Sequence, residues 1–168
     1  MESVNKKGKN RLFAASLCST MIATAAIAVW IRMFTRGGDA ALTASGLSSL
    51  KYYTVLSNLL EGIASLLFVI YTFLYLRRKK QDVPHWIFSL KYIGVSATTL
   101  TFLVVALVFV PFVGYRWLYN GANIWFHLII PILAVIDFIQ WTRYYDISFR
   151  ETFLCPIPAF LYGCAYRS

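Results

Sequence analysis

The stretch 54–76, TVLSNLLEGIASLLFVIYTFLYL, followed at once by Arg77-Arg78-Lys79-Lys80, decides the fold class. A bilayer core needs about 20 apolar residues per spanning helix, so this run reads as a transmembrane helix closed by a basic stop-transfer flank. Inside it, Glu61 stands with Thr54, Asn58 and Ser65 at i, i+4, i+7, i+11 spacing. At about 100° per residue these four share one narrow face. An ionisable side chain is costly in hydrocarbon, so that face must look into a bundle and away from lipid.

The rest of the chain follows the same pattern. Apolar stretches at about 12–34, 92–113 and 122–141 are long enough to span, and a shorter one, 152–166, carries Pro156 and Pro158. The whole chain, 1–168, therefore reads as a single all-α domain, a polytopic transmembrane helix bundle with four clear spans and one short C-terminal span. Composition agrees: 59% of the 168 residues are hydrophobic and 14% charged, too few charges to cover a soluble surface of this size. Ala23-Thr24-Ala25 resembles a signal-peptide cleavage site, but the apolar run continues to Phe34, so a retained anchor is expected. Ala15, Ser19 and Ala23 form a small-residue stripe on that first helix, where a neighbour can pack closely.

The net charge of +9 does not indicate nucleic-acid binding, because the basic residues sit in short clusters between apolar runs. With the N-terminus inside, that side collects Lys6, Lys7, Lys9, Arg11, Arg77, Arg78, Lys79, Lys80, Lys91, Arg143 and Arg150. The other side holds Arg32, Arg36, Lys51, Arg116 and Arg167, and eleven against five sets a cytoplasmic N-terminus in the cell membrane. Arg32 is expected to snorkel from its helix end. Cys18, Cys155 and Cys164 lie in apolar segments without metal-site spacing, so packing is their expected role; no metal or cofactor is expected.

The fourth span adds Asn123 and His127 one turn apart, and Asp137 ten residues beyond the histidine. Spans two and four enter from the same side, which places Glu61 and His127 at similar depth and predicts a cluster of Thr54, Asn58, Glu61, Asn123 and His127. Asp137 lies deeper and is expected to pair with Arg143 or a neighbouring helix. Pro131 lacks an N–H for the carbonyl four residues back, that of His127, so a bend and a free acceptor are expected there.

Lys51-Tyr52-Tyr53-Thr54-Val55-Leu56-Ser57-Asn58, together with Asn123 to Pro131 and Asp137, resembles the bacterial Pr-six-Pr membrane-protein family. That family is more distantly similar to the androgen-induced-gene family of integral membrane hydrolases, which cleave fatty acid esters of hydroxy fatty acids. The resemblance covers roughly Lys51 to Asp137 and implies six spans, one more than this chain displays. It also implies that Thr54 matches the hydrolases' nucleophilic threonine and His127 their histidine.

Three functional readings follow. In the first, His127 takes a proton from Thr54, whose oxygen attacks a lipid or fatty-acyl ester. Glu61 then orients the imidazole, and Asn58 or Asn123 donates to the oxyanion. In the second, Glu61 and His127 contact a transported or bound ion, proton or polar molecule, although no internal repeat is visible. In the third, the polar cluster is structural glue in an accessory membrane subunit.

Overall fold

The computed structural model describes residues 2–39, 41–77, 83–141 and 147–166, with the side chains of 2–9 excepted. It is all-α, and no strand occurs among the described residues. Helix α1 runs Glu2–Arg36, α2 Tyr53–Leu76, α3 His85–Val113, α4 Trp125–Trp141 and α5 Ile157–Tyr166. Three of them, in the segments Asn10–Arg36, Tyr53–Leu76 and His85–Val113, are long and apolar enough to cross a membrane. At 17 residues α4 is shorter, although residues 123 and 124 precede it in helical backbone. Leu, Ile and Phe side chains such as Leu17, Ile63, Phe73, Leu107 and Ile139 stand exposed on the outward faces, the distribution expected where lipid is the solvent.

Helices α1, α2, α3 and α4 form a closed ring in which each packs against the next and α4 returns to α1. Close approach at α1–α2 depends on small residues: a Cβ on Gly62 would lie 2.8 Å from the Ala26 Cβ. Ala15, Ser19 and Ala23 are buried, as the small-residue stripe predicts. Two aromatic-rich cores fill the ring. One surrounds Ile22, Val55, Phe126 and Ile130, and the other surrounds Leu12, Phe68, Phe88 and Trp141.

Two boundaries differ from the sequence reading. The third helix begins at His85, immediately after Pro84, and not near Tyr92. Proline is well placed at a helix start because the first N–H groups have no helical acceptor anyway. This shift puts Lys91 inside the helix and removes it from the cytoplasmic charge count. The C-terminal stretch 152–166 is not one helix either. Phe149–Thr152 forms a single turn, a bend containing Pro156 follows, and α5 occupies only ten residues, too short to span alone. The segment nonetheless travels along the bundle: Glu151 accepts from Ser89 near the start of α3, Ser96 donates to Cys155, and the Tyr162 hydroxyl donates to the Lys51 carbonyl beside the start of α2.

Both α3 and α4 contain a π turn, Val105–Phe109 and Trp125–Ile129, and each ends two residues before a proline, Pro111 and Pro131. In each, the residue before the proline donates five residues back, Val110 to Val105 and Ile130 to Trp125. The bend expected at Pro131 thus takes the form of a widened turn. In that register the next donor would be Pro131, facing the carbonyl of Phe126, and it has no N–H to give.

Candidate functional site

The centre of the bundle holds three charged side chains from three helices: Glu61 on α2, Lys91 on α3 and Asp137 on α4, all fully buried. Lys91 Nζ lies 2.5 Å from Glu61 Oε1, 2.7 Å from Asp137 Oδ2 and 2.7 Å from Ser65 Oγ. An ammonium has three N–H donors, and here each has an acceptor. Ser65 Oγ also donates to Glu61 Oε1 at 3.1 Å, and Ser19 Oγ of α1 donates to Asp137 Oδ2 at 2.9 Å. Every helix of the ring therefore contributes a polar group to one cluster.

Local sequence explains how these groups reach one another. Lys91, Gly94, Thr98 and Thr101 recur at 3, 4, 3 spacing and are all buried, so they form the inward face of α3. Gly94 is required by the fit: a Cβ there would lie 2.3 Å from Glu61 Oε2 and 3.0 Å from the Glu61 Cα. The Glu61 backbone consequently packs directly on α3, and the lysine stem beside it brings its head to the carboxylate. Deeper in sequence terms, Asp137 reaches the same ammonium because lysine supplies the length that the carboxylates lack.

The predicted polar face of α2 is present: Asn58, Glu61 and Ser65 are fully buried and Thr54, at its end, is half-buried. Its partners differ from those expected. Glu61 does not orient the imidazole, since its Oε1 is held by Lys91 and Ser65. Asn58 Nδ2 donates to the Thr54 carbonyl at 2.7 Å and to the Phe126 carbonyl at 3.0 Å, so both its N–H groups are taken. The second of these acceptors is the one that Pro131 strips of a backbone donor. Asn123 turns outward to the connecting loop, donating to the Asp39 carbonyl at 2.5 Å. His127 is buried, with Nδ1 2.9 Å from the Leu118 carbonyl; a carbonyl only accepts, so Nδ1 carries the proton.

Thr54 lines an apolar groove of about 230 Å³ with Tyr53, Leu100, Thr101, Val104 and Tyr162. Among the described residues no hydrogen bond joins Thr54 to His127. Among the described residues the buried Tyr53 hydroxyl has no hydrogen-bond partner. Asp137 finds its partner on a neighbouring helix; Arg143, the other expected partner, lies outside the described residues, as do Arg78, Lys79, Lys80 and Arg167.

A second polar group closes the Tyr53 end of the bundle. Arg32 donates to Asp39 Oδ2 at 2.8 Å, and the Ala122 N–H donates to the same oxygen at 3.0 Å. Arg32 is thus held by a loop carboxylate, in place of the free snorkelling expected. Gly121, at φ +55°, leaves room for Asp39, whose Oδ2 would meet a Cβ at 2.3 Å. The guanidinium of Arg32, and then the Ala122 N–H, hold the Asp39 carboxyl below the usual aspartate range.

Lys91 is the residue that sequence reasoning missed. Pro84 marks the helix start, and the Lys91–Gly94–Thr98–Thr101 periodicity marks an inward face; both signals are present in the sequence.

No protein-family model matches this chain, and neither a curated protein nor a solved structure shows a significant match. The fold by itself defines the class: an all-α bundle of apolar helices, suited to a membrane, built around a buried charged cluster.

Proposed function

We propose that this chain is a non-enzymatic multi-pass protein of the cell membrane, a binding or accessory subunit whose buried cluster fixes the mutual arrangement of its helices. The observation that carries this reading is the complete use of the Lys91 ammonium by Glu61, Ser65 and Asp137. A buried ion pair rarely adds net stability over apolar packing, but it penalises every arrangement that separates the charges. Its partner is the lipid bilayer, with the N-terminus cytoplasmic. With Lys91 moved into the helix the basic residues still stand ten against five in favour of that orientation. A membrane-impermeant maleimide tests it: in intact cells Lys51→Cys labels and Lys7→Cys does not, and the reverse pattern overturns the topology.

A second reading is the lipid ester hydrolase. The resemblance of Lys51–Asp137 to the threonine hydrolases supports it, as does the position of Thr54 in an apolar groove. The Nδ1–H bond to Leu118 also supports it, since a neutral ring then keeps Nε2 as its basic nitrogen. A fluorophosphonate probe in nanodiscs separates the two. The first reading predicts no labelling above a heat-denatured control. Labelling lost in both Thr54→Ala and His127→Ala, in folded protein, establishes the hydrolase instead.

A further inference from the structure

The charge count of the central cluster does not balance. Glu61 and Asp137 supply two carboxylates, Lys91 one ammonium, and all three side chains are fully buried. Among the described residues, the other polar groups facing them are neutral hydroxyls, Ser19 from α1 and Ser65 from α2, with the Cys18 thiol of α1 nearby. With every group ionised, the bundle would bury one net negative charge in surroundings that solvate it poorly, which is strongly unfavourable. The hydrogen bonding shows where compensation belongs. Glu61 Oε1 and Asp137 Oδ2 each accept from Lys91 and one serine, whereas Glu61 Oε2 and Asp137 Oδ1 are buried without a hydrogen-bond partner among the described residues.

We propose that this cluster is a proton-binding site: one exchangeable proton is shared between the Glu61 and Asp137 carboxyls, on their unpartnered oxygens. The group is then neutral, with one ammonium, one carboxylate and one carboxylic acid. The two carboxylates are equivalent in their contacts, each held by Lys91 and one serine, so the proton can reside on either while Lys91 stays charged. This inference does not depend on the accessory-subunit reading, and a proton-coupled membrane function would use the same site.

The test is infrared spectroscopy of the full chain in nanodiscs at neutral pH, reading the C=O stretch of a protonated carboxyl group. Wild type is expected to show the band, shifted in D2O. Glu61→Gln and Asp137→Asn, which keep the size of each side chain, are each expected to abolish it, because either leaves a single carboxylate to match the ammonium. Lys91→Met is expected to strengthen it, since both carboxyls must then be neutral. Absence of the band in folded wild type overturns the proposal, as does its survival in either amide variant. If the variants do not fold, the wild-type band and its deuterium shift decide. Dependence of the band on sodium against choline chloride identifies a metal cation as the true occupant and also overturns it.

Discussion

Asn58 Nδ2 donates to the Phe126 carbonyl at 3.0 Å, and Phe126 is the residue whose carbonyl Pro131 leaves without a backbone donor. A gap in one helix is filled by a side chain from another. Asn58→Leu leaves that carbonyl unsatisfied and is expected to destabilise the bundle by about 1–3 kcal/mol. Pro131→Ala restores a backbone N–H, so the cost of Asn58→Leu should shrink in that background. Denaturant titration of the four proteins of this cycle measures it, and strictly additive costs would show that the two sites are not coupled.

Lys91→Met removes the counter-ion of the remaining carboxylate, which must then take up a proton, and breaking the buried pair in this way is expected to cost about 3–5 kcal/mol. Adding Glu61→Gln and Asp137→Asn removes the carboxyl that has to take up that proton, and the triple variant should recover part of that loss. Unfolding in mixed detergent micelles reads both steps. A triple variant less stable than Lys91→Met alone contradicts the account.

Gly94 and Gly163 separate close packing from helix propensity. At Gly94 a Cβ collides with Glu61, including its Cα at 3.0 Å, so Gly94→Ala should destabilise by about 1–3 kcal/mol. At Gly163, inside α5, nothing lies within 4 Å of the added Cβ, and Gly163→Ala should be neutral or stabilise by up to about 1 kcal/mol. Equal effects in thermal unfolding would count against the α2–α3 fit.

The Arg32–Asp39–Ala122 contact is expected to depend on acid pH. The folded carboxyl lies below the ordinary aspartate value of 3.8, so its stabilising contribution is fully present above that value and disappears as pH falls through the lower folded one. The Ala122 amide resonance should therefore titrate below the pH at which an unpaired aspartate does, and lose that titration in Asp39→Asn. Titration of Ala122 at or above the ordinary value would remove the contact from solution.

The apolar helices are legible in the amino-acid sequence, because bilayer thickness and the cost of unpaired backbone groups leave few other ways to use such runs. The sequence also determined that Asn58, Glu61 and Ser65 face inward, since helical periodicity is local and their cost in lipid has one sign. It pointed to a bend at Pro131 but not to its form, because a π turn admits an extra residue that no local pattern announces. Tertiary structure alone decided the partners. Glu61 meets Lys91 and not His127 because contact between helices depends on where each begins, how closely Gly94 lets them approach and how far a lysine stem reaches. Those quantities are set by packing across the bundle, and no single span encodes them.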